Sequence, residues 1–255
     1  MSSLPKIDRS RMTIKTQAAS IASRMPMPAS LRVQESTLRL VSDHSKTTDT
    51  PPNVSELTNR TLDIAFAVAL GAVFSPVFVV ASAVLLATDG PVFFSQTRIG
   101  RGGKPFKVYK FRTMVNNAPD VLQKLLDENP DLRAEWERDF KLKNDPRVTP
   151  IGRFLRKTSL DELPQLLNIL KGEMSLVGPR PIEPFEITKY GRFAKHYFAQ
   201  RPGLTGLWQV SGRSDSSYER RVILDAYYSK NRSLMLNLSI IAKTVRVVLK
   251  GSGAY

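Results

Sequence analysis

Two acids stand side by side at Asp161 and Glu162, in the stretch TSLDELPQLLNILKGEMSLVGPRP. Pro164 has no N–H and fits only the first turn of a helix, so the helix starts between Ser159 and Asp161. Leu163, Leu166, Leu167 and Leu170 recur at helical spacing as a buried stripe. Gly172 stops the helix. Both carboxylates then sit in the first turn, where backbone N–H groups are free, the dipole is positive and an anionic phosphate can dock. Arg180, held between Pro179 and Pro181, is a stiff cation on the following loop. Paired carboxylates with fixed arginines suit phosphoryl chemistry. A carboxylate attacks phosphorus or holds Mg²⁺, and guanidiniums neutralise phosphate oxygens. The same letters also spell a capping box, Ser159-x-x-Glu162, with Asp161 as an alternative N-cap. Capping and catalysis both fit this pattern.

Further cations are spaced to join the acids. Lys110 and Arg112 fall on one side of a strand by alternation, although solvated edge cations are common in strands. Arg156 lies five residues before Asp161, at the end of a short helix over Ile151–Arg156. The chain has 255 residues and a net charge of +15, so an anionic partner is expected: nucleic acid, an anionic membrane face or phosphorylated substrates. It has no cysteine, which excludes thiol nucleophiles, disulfides and Cys-based zinc sites. Its two histidines, His44 and His196, are too few and too scattered for a His-based triad or metal site; His196 reads as a packed residue.

The elements that must position these groups follow in order. Residues 1–55 read as a disordered basic tail. Ile64 to Ala87 is a charge-free apolar run long enough for a bilayer. Pro76 at its centre frees the carbonyl of Ala72, which the Ser75 hydroxyl can satisfy. Basic residues flank both ends, whereas the positive-inside rule wants them on one side. Spanning and re-entry both remain open on these grounds, with a core helix as a third option. Val92–Gln96 and Phe106–Phe111 are short strands joined by the turn IGRGGKP. Asn117–Lys143 is a helix broken at Asn129-Pro130. Phe185–Ala199 has helical spacing. Arg201–Gly206 is a loop, Trp208–Val210 a short strand leading to Arg213, and Tyr218–Tyr228 a helix carrying Asp225. Leu234–Leu249 is amphipathic, with Leu238, Ile241, Val245 and Val248 on one face and Lys243, Arg246 and Lys250 on the other; it suits a membrane surface or a core.

Five stretches in this order, RTLDIAFAVALGAVFSP, FFSQTRIGRGGKPFKVYKFRTM, DPRVTPIGRFLRKTSLDELPQLLNILKGEMSLVGPRP, RPGLTGLWQVSGR and LDAYY, resemble the bacterial sugar transferases, the monotopic polyprenyl-phosphate phosphoglycosyl transferases. The resemblance covers the chain from about Asn59 to its end, and LKGSGAY resembles the exopolysaccharide-initiating branch. It implies an α+β, mainly helical fold: a re-entrant membrane helix hairpin over 56–89, broken at Ser75 and Pro76, and a cytoplasmic catalytic domain over 90–255 with a short β-hairpin and amphipathic interfacial helices. It implies a UDP-sugar and undecaprenyl phosphate as substrates, Mg²⁺ as cofactor, and UMP as product. Asp161 matches the nucleophile and Glu162 its neighbour, which binds Mg²⁺ and assists catalysis, and both acids are candidate metal ligands. Lys110, Arg156, Arg180, Arg213 and Asp225 match positions that line the site; Arg112 joins them as a substrate-binding candidate from its place beside Lys110. The expected setting is the bacterial inner membrane, facing the cytoplasm, among membrane lipids and without nucleic acid. A homodimer is compatible with this. Galactose or glucose fits the exopolysaccharide branch, although no residue reads a sugar hydroxyl. A non-catalytic membrane scaffold for polysaccharide assembly is the rival reading, and it would not need Asp161, Glu162 and Arg180 together.

Overall fold

The computed structural model describes residues 54–139, 142–212 and 217–250. The tail expected over 1–55 lies outside the described residues apart from Val54 and Ser55, which open the first helix, and Arg213 lies outside them too. The fold is mainly helical α+β, with one long apolar helix and a small antiparallel hairpin.

Helix α1 runs over Val54–Leu86 and is long and apolar enough to cross a bilayer by length and composition. It contains Pro76, and the Ser75 hydroxyl donates to the Ala72 carbonyl at 2.8 Å, so the acceptor freed by proline is answered locally. One face of α1 packs on the domain, through Asp63, Ala67, Ala81 and Leu85. The other exposes Val68, Val73, Val79, Val80 and Val84. Asp63 accepts from the Ser175 hydroxyl (2.8 and 3.0 Å) and the Leu176 N–H (2.8 Å), which satisfies a carboxylate inside an apolar helix.

Strands β1 (Phe93–Ile99) and β2 (Pro105–Phe111) pair antiparallel, each reaching further than the alternation alone marks. Gly102 and Gly103, at φ 66° and 76°, make the turn between them. Helices α2 (Ala118–Glu128) and α3 (Pro130–Asp139) meet at Asn129, as Pro130 requires. Helix α4 (Pro150–Lys157) is capped by Thr149, whose side chain accepts from the Gly152 N–H at 3.0 Å. A 3₁₀ turn, Leu160–Gln165, leads into α5 (Leu166–Lys171), which Gly172 ends at φ 84°. Pro164 lacks the N–H that α-type bonding needs, so regular α-helix begins only after it.

Two expectations are corrected here. Of the leucine stripe, Leu166 is buried and Leu163 half-buried, but Leu167 and Leu170 are 50% and 42% exposed. Ile169 and the polar Asn168 and Gln165 take the inner face instead. The second short sheet is also elsewhere. Trp208–Val210 is a turn, while Gly203–Thr205, within the expected loop, is strand β4. It pairs parallel with β3 (Ser175–Val177). Its glycines make the approach possible: a Cβ on Gly203 would lie 2.1 Å from the Gly178 nitrogen, and one on Gly206 2.0 Å from the Gly178 carbonyl.

Helices α6 (Ile187–Tyr190) and α7 (Ala194–Phe198), α8 (Tyr218–Asn231) and α9 (Leu234–Lys250) complete the domain. The segment expected as one helix over 185–199 is thus broken, by Gly191 at φ 47°. Ile240 of α9 joins the core, together with Ile169, Met174 and Tyr228. Met235, Leu238, Val245 and Leu249 of α9 remain exposed. Gly203→Ala is expected to cost roughly 1–3 kcal/mol or more, because backbone, not a flexible side chain, occupies the Cβ position. Chemical denaturation in detergent checks it; an unchanged midpoint would contradict this packing.

Candidate active site

Asp161 and Glu162 project from the 3₁₀ turn toward β2. Lys110 Nζ lies 2.6 Å from Glu162 Oε1 and 3.6 Å from Asp161 Oδ2. Arg180 Nη1 approaches Glu162 Oε1 at 3.8 Å. Arg156 interacts electrostatically with Asp161 and donates its Nε–H to the Thr113 hydroxyl at 3.0 Å. The structure thus brings four of the sequence candidates into one charged cluster, Lys110, Arg156, Asp161 and Glu162, with Arg180 at its rim.

Capping does not account for the acids. Ser159 makes no side-chain cap hydrogen bond, and it sits in the left-handed region at φ 58°. That conformation is costly for a residue with a Cβ. It turns the chain sharply between Arg156 and Asp161. Asp161 is only 7% exposed. Burial pushes its carboxyl above the ordinary range; Lys110 pulls it back, Glu162 raises it further, and Arg156 and Arg180 oppose that. A buried carboxylate beside a like charge is poised for chemistry rather than for stability.

Supporting residues hold this cluster. Asn168 is fully buried: its Oδ1 accepts from the Tyr109 N–H at 3.2 Å and its amide donates to the Lys107 carbonyl at 2.7 Å. It therefore pins β2 at Lys107 and Tyr109, on either side of Val108 and just before Lys110. Sequence reading missed it, and the only signal was one amide inside an apolar helical run, LLNILK. Thr113 was likewise missed. The Arg180 loop is fixed by its backbone. The Gly178 N–H donates to the Thr205 carbonyl (2.9 Å), the Gly203 N–H to the Pro179 carbonyl (2.8 Å), and Arg221 to the Arg180 carbonyl (3.2 Å).

Two candidates fall elsewhere. Arg112, just past the end of β2, faces the end of α1. It donates to the carbonyls of Asp89 and Leu85, to the Thr88 hydroxyl (2.6 Å) and to the Asn116 side chain (2.8 Å). Strand alternation did not carry it into the cluster because the strand stops at Phe111. Asp225 is 1% exposed and accepts from the Tyr190 hydroxyl at 2.6 Å, with Arg221 Nε at 3.9 Å. Arg221 stacks between Trp208 (4.8 Å) and Tyr218 (5.2 Å). Asp225 thus reaches Arg180 only through Arg221, as a positioning residue. His196 lies beside the Phe193 ring at 6.5 Å.

An apolar groove of about 220 Å³ begins one residue beyond Glu162, between Gly71, Phe74, Ser75 and Phe78 of α1 and Leu163 and Leu166. The charged cluster and the apolar groove are thus contiguous through Glu162 and Leu163, beside a helix of bilayer length. The family model for bacterial sugar transferases matches residues 54–251. The chain belongs to the bacterial sugar transferase family. Its relatives include an undecaprenyl-phosphate galactose phosphotransferase of Salmonella typhimurium, 50% identical over 201 residues, which are 79% of this chain and 42% of the relative. The exopolysaccharide production protein ExoY of Rhizobium meliloti is 47% identical over 203 residues, 79% of this chain and 90% of that protein. An N-acetylgalactosaminephosphotransferase of Aeromonas hydrophila, acting on undecaprenyl phosphate by its name, is 37% identical over 212 residues, 80% of this chain and 46% of the relative. The chain spans less than half the length of the Salmonella relative.

Two titrations check the electrostatics. Carboxyl NMR should find Asp161 titrating above the ordinary aspartate range, and Lys110→Met should move it higher still, since Lys110 is its strongest opposing charge. Asp225 is pushed up to about 6 by burial, with Arg221 and Tyr190 opposing. Its folded-state pKa exceeds the unfolded value of 3.8, so its contribution to stability is full below that value and is lost as pH rises through about 6. The loss is on the order of 3 kcal/mol. Denaturation at pH 4 and pH 7 should show it, and Asp225→Asn should flatten that slope.

Proposed function

We propose that this chain transfers a sugar-1-phosphate from a UDP-sugar to undecaprenyl phosphate through a covalent aspartyl intermediate, as the first membrane step of exopolysaccharide synthesis. The observation that carries this reading is the buried Asp161 carboxylate, adjoining Glu162 and Lys110, at the edge of an apolar groove.

In the first step an Asp161 oxygen attacks the phosphorus that bears the sugar. The bond from that phosphorus to the bridging oxygen breaks, and UMP leaves with the electron pair. In the second step a lipid phosphate oxygen attacks the same phosphorus and displaces Asp161 as the free carboxylate. The product is a lipid diphosphate sugar. The lipid phosphate then meets a single phosphoryl group rather than the whole diphosphate of the UDP-sugar, because UMP leaves before it arrives. Burial disfavours the charged form of Asp161 and so makes it a better nucleophile than a solvated carboxylate, while Lys110 keeps enough of it ionised. Lys110, Arg156 and Arg180 offset charge building on the phosphoryl oxygens.

Among the described residues no group of three or more His, Asp or Glu converges, so no all-protein metal cage exists there. Two adjacent carboxylates fit Mg²⁺, which is commonly held by one or two carboxylates plus substrate phosphates and water. Glu162 and Asp161 would hold it, and it would supply charge neutralisation at the diphosphate.

The membrane reading is re-entry, with the catalytic domain on the cytoplasmic side of the bacterial inner membrane. It is supported by contacts at both ends of α1. Arg60 donates to the carbonyls of Ile169 and Leu170, and Arg112 binds those of Leu85 and Asp89. A helix of 33 residues extends roughly 50 Å. A straight span would carry one end across the bilayer and away from a domain that here holds both. The exposed valines of α1 and apolar residues of α9 would face lipid. The groove would take the first part of the polyprenyl chain.

Asp161→Asn should abolish labelling of the protein by UDP-sugar carrying ³²P in the sugar-linked phosphate. It should also reduce UMP release in membranes supplied with undecaprenyl phosphate by at least about 10³-fold. Transfer that persists in this variant would remove the covalent role.

A further inference from the structure

A second cluster of cations surrounds the first turn of α1 and shares no residue with the site above. It lines a cavity of about 240 Å³, walled by Glu56, Arg101, Ser175, Gln200, Arg201 and Arg232. Glu56 is the one carboxylate in the wall, and it is already taken. Both terminal nitrogens of Arg101 donate to it, and Arg201 Nη1 reaches it at 3.2 Å. The next carboxylate, Asp63, is committed to Ser175 and Leu176. With Arg60 and Asp63, whose charges also act on Arg201, four guanidiniums face two carboxylates, an excess of two positive charges. Burial, and after it the charge of Arg101, holds Arg201 below the usual guanidinium pKa, with Glu56 opposing. Arg232 donates Nη1 to Gln200 Oε1 at 3.2 Å and its side chain also lies within reach of the Tyr228 hydroxyl, while its buried Nε makes no well-formed hydrogen bond among the described residues.

Packing alone gives no reason to gather excess charge in a partly buried cavity, since each unpaired cation there costs desolvation. Planar guanidinium forks with spare donors match the oxygens of a phosphate group. We propose that this cavity is an anion site that binds a phosphate group, from a lipid headgroup or from solution, between Arg101, Arg201 and Arg232. It lies where α1 begins, so an occupant there ties the first turn of α1 to the β3–β4 side of the domain. No step of the transfer uses it.

The test follows the thermal unfolding of the purified full chain in a neutral detergent, at constant ionic strength. One arm adds inorganic phosphate. The other compares mixed micelles containing phosphatidylglycerol with micelles containing diacylglycerol, which has no phosphate. A saturable rise in midpoint is expected in at least one arm. A rise with inorganic phosphate identifies a soluble anion; a rise with phosphatidylglycerol alone identifies a headgroup. Arg232→Gln should weaken the response roughly tenfold in apparent affinity. Arg180→Gln, in the other cluster, should leave it intact. Gln200→Glu places a carboxylate beside Arg232 without removing any arginine; it should raise the midpoint of the unliganded protein and abolish the response. No rise in either arm would overturn the proposal, as would a response kept by Arg232→Gln and lost by Arg180→Gln. Loss of covalent labelling in Asp161→Asn is read separately and does not bear on this site.

Discussion

Asp63 and Arg112 fasten opposite halves of α1 to the same domain, and the placing of the site rests on that double attachment. Asp63 is a carboxylate buried in an apolar helix, and it is tolerable only because Ser175 and Leu176 satisfy it. Arg112 adds donors at the helix end, to the Leu85 carbonyl that also accepts from Thr88 and to the Asp89 carbonyl just beyond it, which also accepts from Asn116. Between these points one face of the helix is committed to the domain and the other is left apolar and exposed. The groove beside Glu162 exists because that committed face passes Leu163 and Leu166 at the level of Ser75.

The charged cluster is set against this apolar background. Bringing Asp161 out of water raises the cost of its charge, and Lys110 and the arginines return part of it. The balance depends on positions, not on the number of cations. Lys110 is placed by a strand that Asn168 pins, and Arg180 by a loop whose backbone is bonded to β4 and Arg221. Asp225, Tyr190 and Arg221 form a buried layer behind that loop. Through Arg221, which donates to the Arg180 carbonyl, Asp225 is joined to that loop although it is remote from the carboxylate pair.

Particular elements show where reading the chain succeeded and where it stopped. The break at Asn129-Pro130 and the local answer to Pro76 by Ser75 were legible, because proline acts through its own bonds. The hairpin was legible from its alternation and glycine turn. Strand β4 was not, because it is three residues long and exists only by pairing with β3 across the Gly178–Gly203 approach. Leu167 and Leu170 were assigned to the core but face outward, and periodicity cannot tell which of two adjacent stripes a neighbour will cover. Asn168 gave almost no signal, since its partners are backbone groups of a distant strand.

The sequence by itself determined the chemistry available: two adjoining acids, cations at set distances along the chain, an apolar run with a proline at its centre, and no thiol. These follow from residue type and local spacing, which need no partner to be read. Only the tertiary structure decided that Ser159 does not cap, that Glu162 meets Lys110 rather than its own helix, and that Arg112 and Asp225 serve the frame. Those outcomes depend on which distant surface each side chain meets, and no local pattern encodes that.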